Sequence, residues 1–248
     1  MASICYNNIL RSATVQSEDT LSGFGIANAL DGRTSSQVGF SSGANREVDF
    51  DLGATTAMKT LAIARHNLGT VGGTVNVYGS NDGSIYIFIL ALTPTDDKVN
   101  VKEWTVTNNY RYYRITISGH TSAAYIGDIF IGPHLELQRD QKHGFVKPDF
   151  SDGDTVIPNI TRGQNLVGLN IKEQPKRVRF QMPFYSSSFF NDWESLVAQM
   201  KLYPVYIKWN DNETPFYCWP TRSMPQPSYS RNINGYYDIK MDMSGITQ

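Results

Sequence analysis

Arg65, His66 and Asn67 place a guanidinium, an imidazole and an amide on three consecutive positions of this 248-residue chain. Between them these groups can donate to and accept from a polar ligand. They are therefore the first place to look for a binding site, although a glycine-containing loop with a lone histidine is also what an ordinary connection looks like. Catalysis has little to draw on. The sequence contains no Gly-x-Ser-x-Gly elbow, Walker loop, His-Glu-x-x-His or Cys-x-x-Cys pattern. The expectation is a protein that binds or builds and is not an enzyme.

The elements that must position this triplet run from Leu61 to Gly83. An apolar run from Leu61 leads into the triplet. The chain then turns through Gly69, Gly72 and Gly73 and resumes as Thr74–Tyr78 with Val75 and Val77 on one face. Ser80–Gly83 ends the second strand with turn formers. Around this pair the pattern is of short strands. Glu47–Leu52 alternates, with Val48, Phe50 and Leu52 inward, three acids outward and Gly53 as the stop. Ile85–Leu90 is almost wholly apolar, as a strand covered on both faces would be. Trp104–Val106, Tyr112–Ile117 and Ile126–Ile131 complete the pattern of an antiparallel sandwich or jelly roll.

Charge density rises after residue 136, and Gly144, Pro148 and Gly153 break any period, so residues 137–153 read as a connector. His134 and His143 flank it without the carboxylates or cysteines of a metal site. A second unit, 154–248, adds strands at Val167–Ile171, Arg177–Met182 and Val205–Trp209, then an aromatic hairpin through Phe216–Trp219 and an alternating strand at Tyr236–Met243. A helix is expected at about 188–201. Phe189, Trp193, Leu196, Val197 and Met200 fall on one stripe, Ser187 or Ser188 can cap the start, and Pro204 blocks continuation. The fold class is mainly β: a sandwich over 1–136, then a smaller β-sandwich carrying one packed helix.

Composition excludes several classes. The net charge of −1 offers no basic excess for nucleic acid. No apolar run approaches the length of a membrane span, and no signal peptide is visible at the N-terminus. Cys5 and Cys218 are expected in different units as buried free thiols, in a chain folded in a reducing cytosol.

Three segments in order, Ala27–Gly32, Val48–Gly53 and Val77–Gly83, resemble the discoidin (factor V/VIII type C) family. Tyr112–Ile117 and Ile126–Phe130 are similar to that family's last two core strands, so the resemblance covers about residues 10–135. It implies a galactose-binding-like sandwich whose end loops meet glycans, lipids or proteins. It further implies a possible structural calcium, with Asp31 and Asp128 as side-chain ligands and carbonyls near Ala29 and Thr34 completing the cage. Arg33 beside the ion and an aspartate at the closing position depart from the pattern; the other reading is that Asp31 ties its own turn. For a sugar the resemblance implies Arg65, His66 and Asn67 with Phe40 as the stacking aromatic, because aromatic faces meet sugar C–H groups while Arg and His reach hydroxyls.

The second half, with one helix, an aromatic hairpin and a strand closing on Met243-Ser244-Gly245, resembles in layout the tube-type domain of bacteriophage distal tail and minor tail proteins. That resemblance implies a virion tail location after synthesis in the host cytoplasm. It also implies a homo-oligomeric ring joining the tail tube to baseplate proteins, with host-glycan contact through the first unit. The alternative from a different class is a carbohydrate-binding module that recognises cell-surface glycans.

Overall fold

The computed structural model describes residues 2–33, 35–43, 45–137, 155–160, 166–172, 175–186, 189–210, 213–221, 224, 226–229 and 236–247. The expected connector past Leu137 and the two serines proposed as helix caps lie outside the described residues. The first strands are β1 (Ser3–Cys5), β2 (Thr14–Glu18), β3 (Val38–Phe40), β4 (Arg46–His66), β5 (Thr74–Ser80) and β6 (Ile87–Leu92). They are followed by β7 (Asn100–Ser118), β8 (Ala124–Gly132) and β9 (His134–Glu136). A one-turn helix, α1 (Leu68–Val71), separates β4 from β5 and is closed by Gly72 in the left-handed region at φ 73°.

Two long strands fold one sheet over on itself. The first half of β4 pairs with β2 and with the second half of β7, as in Phe50↔Tyr113. Its second half pairs with β8 and with the first half of β7. Gly53 was expected to end this strand. Instead it takes φ 74° where the pairing register shifts between Asp51 and Thr56, so the strand bends and continues. Two layers result, β2-β4-β7-β5-β6 and β3-β8-β4-β7, and between them lies a core that includes Val48, Phe50, Val77, Ile115, Leu61 and Ile129. Outside it the three acids of β4 are matched from β7. Arg114 donates to Asp49 at 2.6 and 2.7 Å and to Glu47 at 3.1 Å, and Arg111 forks onto Asp51 at 2.8 Å through both nitrogens.

The second sheet draws on both ends of the chain. β12 (Lys176–Ser186), β13 (Val205–Lys208), β14 (Phe216–Pro220) and β16 (Tyr236–Ile246) join β1 and β9 in the order β12-β16-β14-β13-β1-β9, with β15 (Gln226–Tyr229) on β16. β10 (Thr155–Ile160) and β11 (Leu166–Lys172) form a separate pair. Ser3–Cys5 and His134–Glu136, assigned by sequence to the first unit, therefore hydrogen-bond in the sheet of the second. The same pairing corrects the placement of the cysteines. Cys5 and Cys218 belong to one sheet, facing its opposite sides, and both are free and buried. Burial pushes both thiols up, which leaves them unreactive.

One face of this sheet takes helix α2 (Phe190–Met200), against which Phe189, Trp193, Leu196 and Met200 are buried as the stripe requires. The other face packs on the second layer of the first sheet through Cys5, Tyr206 and Tyr217 against Ala62, Ala64 and Phe130. Leu61–Ala64 is therefore the strand covered on both faces, Leu61 and Ile63 inward and Ala62 and Ala64 outward. Ile85–Leu90, expected in that role, is corrected. It leads into the edge strand β6, with Ile85 72%, Ile87 55% and Phe88 55% exposed. Truncating Leu196, which is fully buried on the inner face of α2, should cost about 2–5 kcal/mol in urea unfolding, and Val197→Ala on the stripe's margin should cost less.

Candidate functional site

The Arg65–Asn67 triplet ends β4 at one rim of the sandwich, where an open cleft of about 520 Å³ is lined by Gln37, Arg65, His66, Asn67, Asp96, Asp97, Lys98 and Tyr125. Arg65 takes φ 54°, the left-handed region in a non-glycine residue, and its side chain is exposed. Ala64 pairs with Asp128 and His66 with Ile126, so Arg65 lies across from Gly127. A Cβ on Gly127 would fall 2.7 Å from that of Arg65, so only glycine admits this backbone. No described residue pairs with the Arg65 guanidinium.

His66 and Asn67 are committed elsewhere. The His66 Nδ1 accepts from the Leu68 amide at 3.2 Å, which places the ring proton on Nε2, 2.7 Å from the Lys98 carbonyl it serves. Burial lowers its pKa and keeps it neutral, against the smaller opposing pull of the Lys98 carbonyl and of Asp97 and Asp96. Asn67 accepts from the Tyr125 amide at 2.8 Å and donates to the Ala123 carbonyl at 3.0 Å, pinning the start of β8. Both residues line the cleft and hold its frame, while Arg65 faces the solvent.

Phe40 does not join them. It is 1% exposed in the core and presents no face to a ligand, because its strand is closed over by main-chain bonds, Leu21 N–H donating to the Gly39 carbonyl and Gly39 N–H to the Phe24 carbonyl. The aromatic at the cleft is Tyr125, half-buried and in edge contact with the exposed Phe24 at 5.6 Å. The opposite wall, Asp96–Lys98, was also missed. Asp97 accepts from the Thr70 amide and hydroxyl at 3.0 and 2.5 Å, and a Cβ at Gly69 would lie 2.3 Å from the Asp96 carbonyl carbon, so α1 and this loop are in close contact. The turn chemistry of Thr93–Lys98 marks a loop in sequence, but nothing local places it opposite Arg65.

The two acids proposed for calcium do not form a cation cage. Asp31 is exposed and ties its own turn, accepting from the Arg33 amide and the Ser36 hydroxyl, each at 2.7 Å. Asp128 is buried at the seam between the sheets, where it accepts from Tyr206 at 2.7 Å, Tyr217 at 3.2 Å and Arg11 at 3.2 Å. Arg11 also donates to the Leu30 carbonyl at 2.9 Å and lies 3.9 Å over the Tyr203 ring. A guanidinium thus supplies the positive charge that an ion would bring, and the carboxylate oxygens are already engaged. Thr34 lies outside the described residues. These residues do not fit calcium.

No family model matches the chain, and no curated protein matches it. Among solved structures it is similar to SpGH29, at 13% identity and a TM-score of 0.44, over 52% of this chain and 28% of that one. It is similar to CBM32-1 from a family 31 glycoside hydrolase from Clostridium perfringens, at 18% identity and a TM-score of 0.43, over 52% of this chain and 99% of the module. A third likeness is to the CBM32 of AlyQ in complex with 4,5-unsaturated mannuronic acid, at 20% identity and a TM-score of 0.40, over 51% and 96%.

Two outcomes test the Asp128 seam. Burial is the largest influence on Asp128 and, against the pull of Arg11, Tyr206 and Tyr217, its pKa is pushed up to about 6 from an ordinary 3.8. The fold thus holds this proton more tightly than the unfolded chain does. Its stabilisation is fully present below about pH 4 and is lost as pH rises through about 6. The midpoint difference between the wild type and Asp128→Asn should shift in the wild type's disfavour over that window. His66 and the lowered carboxyls of Asp51, Asp82, Asp97 and Glu103 act with the opposite sign and are common to both proteins. Millimolar calcium or chelator should leave the midpoint unchanged; a rise of several degrees with calcium, absent in Asp31→Ala, would show that an ion binds after all.

Proposed function

We propose that this chain is a glycan-binding protein whose ligand sits in the cleft between Arg65, Tyr125 and the Asp96–Lys98 loop. The observation that carries this reading is the exposed guanidinium of Arg65, unpaired among the described residues and held in a left-handed conformation beside an aromatic ring in an open polar cleft. Sparsely populated backbone angles in non-glycine residues gather at ligand sites. The groups suit a hydroxyl-rich ligand. Tyr125 offers an aromatic surface to C–H groups, Arg65 and Gln37 can donate to hydroxyls, and Asp96 can accept from them.

Binding is favoured over catalysis by the histidine. A general base needs a free ring nitrogen, and both nitrogens of His66 are held by main-chain groups. The reading of the chain as a ring-forming phage tail component takes second place. The observation that favours assembly of some kind is the exposed apolar edge at Ile85, Ile87 and Phe88, which is indifferent to the identity of any virus.

A broad glycan array followed by calorimetry on the best ligand tests the proposal. Arg65→Ala should weaken binding about 10- to 100-fold, the loss expected for a hydrogen bond to a charged group. Tyr125→Ala should weaken it comparably, while Phe40→Leu, in the core, should change stability and leave affinity intact. An array on which the intact chain binds nothing, or an Arg65→Ala variant with full affinity, would exclude the cleft as a glycan site.

A further inference from the structure

The loop that walls the Arg65 cleft also walls a second one. On its far side an open cleft of about 330 Å³ runs between Thr95–Val101 of the first unit and Lys208, Thr214 and Pro215 of the second. Asp96 and Lys98 line both clefts, so a single segment of backbone divides them. Neighbouring chains stack about 5 Å apart, which is the thickness of such a wall. The wall is held from both sides. The Lys98 carbonyl accepts from His66 Nε2 in the first cleft and from the Asn100 side chain in the second, both at 2.7 Å. The Lys98 amide donates to the Asp96 carboxylate at 3.1 Å. Next to it the Val99 amide donates to the Thr247 carbonyl at 2.9 Å, and its side chain is buried in the cluster between the sheets. The two clefts are thus set at a fixed spacing before any ligand arrives, and binding across them pays little ordering cost.

The groups along the second cleft suit a hydroxyl-rich ligand. Thr95 and Thr214 are not buried, and neither hydroxyl has a partner among the described residues. Asn100 commits its amide nitrogen to the wall and keeps its side-chain oxygen to accept. Across the two clefts Arg65, Lys98 and Lys208 are balanced by Asp96, Asp97 and Glu213, so no positive excess is present to hold a polyanion. No aromatic residue lines the second cleft, so it extends a ligand gripped by the first and does not hold a sugar alone. We infer that the ligand is a neutral oligosaccharide that crosses the Asp96–Lys98 wall, one end against Arg65 and Tyr125 and its continuation among Asn100, Thr95 and Thr214. The inference rests on the reading of the Arg65 cleft as a glycan site. Both clefts are open, so neither restricts the ligand to a terminal sugar. Joining the two contacts in one molecule makes the second intramolecular, and affinity then grows with chain length until both clefts are filled.

Calorimetry of the full chain with size-graded ladders tests this, from single sugars to hexasaccharides of glucan, galactan, mannan and N-acetylglucosamine chains, with polygalacturonate fragments as the acidic comparison. On a neutral ladder affinity should rise about 10-fold with length and then level off. The double variant Thr95→Ala/Thr214→Ala should lose most of that rise and keep the wild-type affinity for the shortest member that binds, which also shows that it is folded. Arg65→Ala should weaken every length alike. Affinity that is equal at every length overturns the inference and leaves the Arg65 cleft as a site for a single sugar. So does a rise that survives the double variant, and tighter binding of the acidic fragments than of any neutral ladder overturns the neutral assignment. No binding to any ladder also overturns it; if the glycan array is silent as well, the reading of the Arg65 cleft falls with it.

Discussion

The seam between the two sheets depends on one buried carboxylate. Asp128 sits on β8 at the contact layer and collects Arg11 from the first unit and the hydroxyls of Tyr206 and Tyr217 from the second. A charge in that position without partners would be costly, and with them it fixes how the sheets meet. Arg11 extends the same fixation to the turn at Leu30 and to the ring of Tyr203. Next to Asp128 in sequence, Gly127 gives Arg65 its room. The strand that locks the seam is thus the strand that sets the exposed arginine.

That arrangement also explains the composition of the central strands. Leu61–Ala64 has large residues toward one core and alanines toward the other sheet, because the second sheet approaches closely on that side. A sheet layer buried on both faces has no place for alternating polar residues. The chain termini contribute to it as well. β1 enters the second sheet between β9 and β13, so strands from the first unit complete the sheet of the second.

Much of this was legible in the residues. The alternation of Glu47–Leu52, the stripe of α2 and the two strands around the Arg65 loop follow from local period and turn chemistry, and each lies where it was expected. The errors have a common source. Ile85–Leu90 and Leu61–Ala64 are both apolar runs, and composition cannot say which one receives a second layer. Phe40 follows a polar loop and precedes another, yet two main-chain bonds to Gly39 fold a loop over its strand. His66 has the chemistry of a ligand residue, but the Lys98 carbonyl, thirty-two positions away, takes its proton.

By itself the sequence determined the mainly β class, the presence of strand at Val48–Phe50, Thr74–Tyr78, Tyr112–Ile117 and Ile126–Ile131, the helix with its buried face and the place of the Arg65 triplet between two strands. These depend on interactions between residues a few positions apart, where side-chain period and glycine placement act directly. Only the tertiary structure decided that β1 and β9 belong to the second sheet, that Asp128 pairs with Arg11 and two tyrosines, and that Tyr125 and the Asp96–Lys98 loop complete the cleft around Arg65. Those are contacts between distant segments, and they are fixed by which faces are buried and which backbone groups remain to be paired, quantities that no local stretch of sequence contains.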